Sequence, residues 1–389
     1  MQKIFRIFAI VPALLVSACA SSPEPVTPSV SESPTPASTS APSVAAPVWT
    51  AQLSGAVNAA PFVAGDRVIA ATAGGSIHAV HAETGVPAWD FSPAEKVWDA
   101  SVNGDEARIC AGQAGGKLTC LDAQTGQPLW TIDLGLEVQS RIAVTPDRVY
   151  APTTLAGSGL TNDYSGQASL FAVNTATGEI IWEAVTENYI LRRPVVNGDA
   201  VIVGGAYQVG GQSTGTVASR IYALNTSDGS LRWKYESNDG LVRWVDSDGE
   251  TAFFSAATEI VYALSLVDGK LLWQYGPGYW MQFPAMQSGR IFFGSGDENF
   301  QAHETITGRQ IWKHAINMSA LNQIGRPLID GNRIWFNSVT GEIYALNLED
   351  GKQVQYVFTG KTARVGGALF NSFYILGDPE GKLYAFTVQ

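Results

Sequence analysis

Charge is scarce in this chain of 389 residues. Asp, Glu, Lys and Arg make up 15% of it, and acids outnumber bases 35 to 24. That acidic balance argues against nucleic acid as a partner, because phosphate recognition needs a basic patch. Cysteine is scarce too: three cannot build a disulfide scaffold. No C-x-x-C pair, haem-attachment motif or histidine-rich run accompanies them. The four histidines, His78, His81, His303 and His314, are scattered, so no metal site is expected. Beyond Val16 no apolar run is long enough to cross a bilayer. What is plentiful is glycine (40) and tryptophan (11), on a background 46% hydrophobic. Such a chain can bury a large core, which excludes wholesale disorder. The glycine excess fits many short strands joined by tight turns.

The first residues read as an address. Lys3 and Arg6 precede an apolar run from Ile7 to Val16, which has the length of a signal-peptide core. The run ends Val16-Ser17-Ala18-Cys19. Small residues followed directly by Cys resemble a bacterial lipobox. The resemblance implies cleavage before Cys19 and diacylglyceryl attachment to its sulfur; the bland alternative is ordinary secretory cleavage near the same point. Residues 20–47 are almost all Ser, Pro, Thr, Ala, Val and Glu, and cannot bury enough apolar surface to order themselves. The expected organisation is a signal peptide over 1–18, a lipid-bearing tether over 19–47 and a folded body over 48–389.

The body repeats. An apolar run ends at Ala, a Thr-Gly or Asp-Gly turn follows, and Trp stands four residues after that Gly. LFAVNTATGEIIW ends at Trp182, IYALNTSDGSLRW at Trp233 and VYALSLVDGKLLW at Trp273. The anchors are Ala79, Cys120, Ala172, Ala223, Ala263, Ala302, Ala345 and Ala385, spaced 39 to 52 residues apart. A period near forty with four short strands is a propeller blade. The copy ending at Gln355 has lost its Trp, and GKLYAFTVQ supplies only a third strand. PVWTAQL, with Trp49 at the repeat position, supplies the missing fourth from the other end of the body. The fold expected is an all-β, eight-bladed propeller closed by that strand, with seven blades as the alternative. The repeated Trp is expected to pack between blades rather than to mark a cofactor box.

AxxxTGxxxW units in an eight-bladed ring resemble the pyrroloquinoline-quinone-type (PQQ-type) propeller repeat, over about residues 48–389. That family has an enzyme branch, the quinoprotein dehydrogenases, and a branch of non-catalytic propeller lipoproteins of the BamB type. The dehydrogenases carry a vicinal Cys-Cys disulfide over the quinone, calcium ligands and a catalytic Asp. Here no two cysteines adjoin, and no calcium set, HExxH, P-loop or nucleophile elbow is recognisable. The lipobox, tether and all-repeat body resemble the BamB branch. That resemblance implies no catalysis, no resident cofactor (PQQ being the alternative), a monomeric ring and protein partners in the cell envelope. It implies anchoring at the periplasmic side of an outer membrane or the outer face of the cell membrane. In that family a Leu-x-Leu-Arg-type connector contacts the barrel protein. Tyr189-Ile190-Leu191-Arg192-Arg193 occupies such a connector here, matching at Leu191 and Arg192. An acidic pair in the next connector corresponds to Asp246 and Asp248, although Asp248 also reads as a turn residue.

Two adjacent repeats are longer between second strand and anchor, through 155–167 and 206–220. Extended loops on a rigid scaffold often carry binding, whereas Gly/Ser-rich drift is the bland alternative. With Arg243, Trp244, Tyr279 and Trp280, the connector residues Tyr189, Leu191, Arg192 and Arg193 form the expected partner surface. Arg141, Arg193 and Arg326 fall at equivalent starts of inner strands, where three guanidinium groups either make an anion-binding mouth or bond neighbouring carbonyls. Cys110 and Cys120 straddle Gly115 in one hairpin and are either a cross-strand disulfide or two small buried side chains.

Overall fold

The computed structural model describes residues 44–154, 167–208, 217–257, 260–276, 283–295, 298–316 and 325–388. Eight antiparallel sheets follow one another in a ring. The signal peptide, Cys19 and most of the tether lie outside the described residues.

Each blade runs from an inner strand A to an outer strand D. In blade 1 these are Phe62–Ala64, Arg67–Ala71, Ile77–His81 and Pro87–Phe91. Blade 8 takes A, B and C from Ala368–Phe370, Phe373–Gly377 and Lys382–Thr387, and D from Trp49–Gln52. The register is Trp49 opposite Ala385, so the N-terminal segment closes the ring and the blade count is eight. Closure removes an open sheet edge that would invite association.

The repeat is legible in the pairing. Seven of the eight anchors face a repeat Trp across strands C and D, as in Ala79 opposite Trp89, Ala223 opposite Trp233 and Ala302 opposite Trp312, while Ala345 faces Gln355. The Trp packs on its own blade, as Trp312 does on Phe292 and Phe300, and also reaches the next one. Its indole N–H donates to a carbonyl of the following blade: Trp49 to Ala82 at 3.1 Å, Trp182 to Thr226 at 2.9 Å, Trp312 to Leu348 at 2.9 Å. The ring lies on the turn glycine of that blade. A Cβ on Gly269, at φ 72°, would stand 2.7 Å from Trp233. Only glycine gives both the positive φ and the space. Between blades, inner faces bury dense apolar clusters such as Phe300, Trp312 and Phe336, in which the Phe300 and Phe336 rings stack at 4.3 Å. Strands A to C are mostly buried, while D strands alternate with solvent, leaving Leu129, Ile181 and Leu231 exposed.

Cys110 and Cys120 are register partners with Cα atoms 4.0 Å apart and are joined as a disulfide. The long repeat of blade 4 differs from the loop expected over 206–220. Its B and C strands lengthen to Ala200–Gln208 and Val217–Asn225, so both ends of that segment are strand. The first insertion falls on 155–166, outside the described residues, apart from exposed Gln167.

Candidate functional site

In every blade, strand A meets strand B at one shared register point, for example Ala143 opposite Tyr150, Val195 opposite Ile202 and Leu328 opposite Trp335. Two residues earlier stand Arg141, Arg193 and Arg326 in blades 3, 4 and 7, and Trp244 and Phe283 in blades 5 and 6. Ala60, Ser101 and Gly366 fill the other three blades. Because inner strands surround the axis, this level is a ring of side chains at one end of the channel. The three arginines expected to form a mouth are brought together there, lining one cavity of about 460 Å³. Arg141, Arg193 and Arg326 also line a second, of about 390 Å³, with Arg192, Arg243, Arg364, Trp244 and Phe283.

The cationic side chains are held by the walls. Arg141 Nη2 donates to Asn103 Oδ1 at 3.3 Å, and its guanidinium lies 5.5 Å from the Phe62 ring centre. Arg326 Nη2 donates to Asp246 Oδ2 at 2.9 Å, across from blade 7 to blade 5. Arg192 Nε donates to the Val242 carbonyl at 3.2 Å. Burial first, then repulsion from Arg193 and Arg326, pushes Arg141 down to about 10. Burial and then Arg326 take Arg193 to about 10 against the pull of Asp246. Both stay protonated near neutral pH. The wall therefore gathers positive charge in a chain whose formal net charge is −11.

The connector face adjoins this mouth. Ile190–Leu191 pairs with the lengthened B strand of blade 4, opposite Ala206 and Gly205, as an extra strand of that sheet. Burial corrects the expected surface anchors: Leu191 is 0% exposed, Trp244 2% and Tyr189 9%. Their side chains pack the scaffold instead of presenting themselves to a partner: Tyr189 and Leu191 because the connector zips onto the longer hairpin, Trp244 because it packs among Phe253, Val261 and Ile291 of blades 5 and 6. Arg192, Arg193 and Arg243 remain half-exposed at the channel. The hairpin carries its own charged cluster, with Arg220 bonded to Glu187 and to Glu236 at 2.8 Å and stacked over Tyr207 at 3.7 Å. Asp246 and Asp248 do not act as a pair: Asp246 faces the channel, whereas Asp248 accepts the turn amides of Glu250 and Thr251 at 3.1 and 2.8 Å. Tyr279 and Trp280 lie outside the described residues.

Sequence counting missed Arg364, which lies two residues before Gly366 of the ring and lines the cavity. Counting back from strand A of blade 8 would have found it. Also unforeseen is a chain of hydrogen bonds, Ser54 Oγ to His78 Nε2 at 3.1 Å and His78 Nδ1 to Asp90 Oδ1 at 2.6 Å. It has the order of a hydrolase relay. Yet His78 and Asp90 are ordinary register partners, and the same positions in blade 2 hold the bonded pair Thr119 and Thr131. No cluster of three or more His, Cys, Asp or Glu suited to a metal occurs among the described residues.

The family model described as Outer membrane protein assembly factor BamB matches residues 39–97, 73–240, 116–275 and 257–388. The chain belongs to this family. A BamB of Yersinia pestis is 24% identical over 243 residues, 57% of this chain and 56% of that protein. The match thus spans little more than half the length of this curated relative. The crystal structure of BamB from Moraxella catarrhalis superposes with TM-score 0.62 at 17% identity, covering 89% of this chain and 98% of that one. The quinohemoprotein alcohol dehydrogenase of Comamonas testosteroni gives 0.64 at 13% identity, covering 88% of this chain and 76% of that chain. The propeller is common to BamB proteins and dehydrogenases, so the ring alone does not decide between scaffold and catalyst.

Proposed function

We propose that this chain is a BamB-like envelope lipoprotein that acts as a non-catalytic scaffold in outer-membrane protein assembly. The observation that carries the reading is the family match from 39 to 388, which takes in the whole ring. In this reading Cys19 carries the lipid, the tether holds the propeller off the membrane on its periplasmic side, and the protein works without a bound cofactor. An outer-membrane β-barrel assembly protein is the partner. A rigid closed ring that leaves only short edge strands suits a docking platform. The docking face is the end formed by the lengthened blade-4 hairpin, the connector after Trp182 and the half-exposed Arg192, Arg193 and Arg243. The cysteine pattern supports the non-catalytic reading, since Cys110 and Cys120 are ten residues apart and bonded inside a blade.

The test is in-cell crosslinking of a C-terminally tagged chain, detergent extraction and mass spectrometry. Recovery of a β-barrel assembly protein as the main specific partner is expected. Recovery of intact bait without such a partner overturns the reading. A visible-range absorbance scan of the same preparation checks the cofactor: a bare propeller shows no band, and a quinone band would restore the enzyme branch.

A further inference from the structure

We propose that the channel end ringed by Arg141, Arg193 and Arg326 is a binding site for a small, multiply charged oxyanion, a carboxylate or a phosphate. The first ground is charge. Six arginines line the smaller cavity, and no Asp or Glu is among its described lining residues. Asp246, bonded to Arg326, is the carboxylate beside them. Guanidinium groups held together at low dielectric repel one another, and an anion between them reverses that cost. In a chain with more acids than bases, such a concentration is not the drift of a basic surface.

The second ground is unused donors. Arg193 Nε is buried without a hydrogen-bond partner, and so is Trp244 Nε1. Both residues line the cavity. Buried N–H groups are normally satisfied, so an acceptor bound at this wall would offset a standing cost. The third ground is shape. Ala60, Ser101 and Gly366 leave one side of the ring open, while Trp244 and Phe283 wall the other. Cavities of about 390 and 460 Å³ suit a small molecule and not a folded domain. Guanidinium forks grip carboxylate or phosphate oxygens in pairs, with a geometry that lysine lacks. Occupancy needs no partner protein, so this inference stands apart from the scaffold reading.

The experiment is titration calorimetry of the full chain with inorganic phosphate and, separately, with citrate, each against sodium chloride of equal ionic strength. Saturable binding of one or both is expected, and which one binds tells phosphate from carboxylate chemistry. R193Q and R326Q should each weaken binding by about tenfold to a hundredfold, the loss of one charge-assisted pair. R193Q in the absence of anion should melt no lower than the native chain, because it relieves repulsion. That second measurement separates a ligand site from a structural one. Absence of saturable heat with either anion up to about 10 mM, where affinity is negligible, overturns the proposal. So does binding that R193Q and R141Q leave unchanged. Capture of an acidic peptide that neither anion displaces also overturns it.

Discussion

The indole of Trp312 in blade 6 lies on Gly351 of blade 7 and donates to the Leu348 carbonyl at 2.9 Å. The same relation joins Trp49 to Gly85, across the point where the ring closes. Gln355 shows what the relation depends on. It stands where blade 7 should carry Trp, opposite Ala345. Blade 8 takes its D strand from Trp49–Gln52, so no turn glycine links its C strand to its D strand, and an indole at 355 has nothing of that kind to lie on.

The glycines should therefore be as intolerant as the tryptophans. Gly269→Ala adds a Cβ 2.7 Å from Trp233 at a φ of 72°. It should cost about 2–4 kcal/mol, combining left-handed strain with overpacking. Trp233→Ala should cost about 3–5 kcal/mol. Chemical denaturation measures both, and the double variant should cost less than the two together because the residues touch. Gln355→Trp should give no gain in stability.

Closure should be worth more than one indole. Deleting residues 48–53 strips the D strand from blade 8 and bares the C strand Lys382–Thr387. The expected result is a melting temperature below that of Trp312→Ala, with association visible by light scattering, since an exposed strand edge pairs with others. A deletion variant that stays monomeric and melts like the native chain would refute the closure argument.

The disulfide closes a short loop, with a sequence separation of 10. Loop entropy of that size predicts a loss of about 2–3 kcal/mol for the Cys110→Ala, Cys120→Ala double variant. Thiol titration of denatured native protein should find neither residue reactive until a reductant is added.

Acid should loosen blade 6 through His303. Its ring is 1% exposed, packed 4.7 Å from Tyr275 and 5.1 Å from Phe293. Burial holds its imidazole below the ordinary value, against a hydrogen bond to the Gly308 carbonyl. The unfolded chain therefore takes up the proton first as pH falls. The contribution to stability is full above about 6.5, the unfolded value, and is lost as pH drops from there toward the folded value. His314 is shifted the same way by burial. Stability measured from neutral to mildly acid pH should fall less in His303→Gln than in the native chain. An identical slope would show that His303 does not titrate on unfolding.

The repeat was readable because each of its elements has a local cause. The Ala anchor, the turn glycine and the Trp recur at near-fixed offsets, and in all eight blades the anchor has its register partner in strand B, from Ile69 with Ala79 to Ile375 with Ala385. Strand alternation and turn chemistry act over a few residues, so sequence alone determined the blades and the strand that completes the last one, while the closed ring decided eight against the alternative of seven. The arginine mouth was half legible: equivalence of position brought Arg141, Arg193 and Arg326 to one level. Its partners were not, because Asp246 and Arg326 are 80 residues apart and meet only when the ring is closed. Nor could sequence show that Leu191 turns inward. That depended on the lengthened hairpin Ala200–Asn225, which recruits the connector as an extra strand through backbone hydrogen bonds that no side-chain pattern announces.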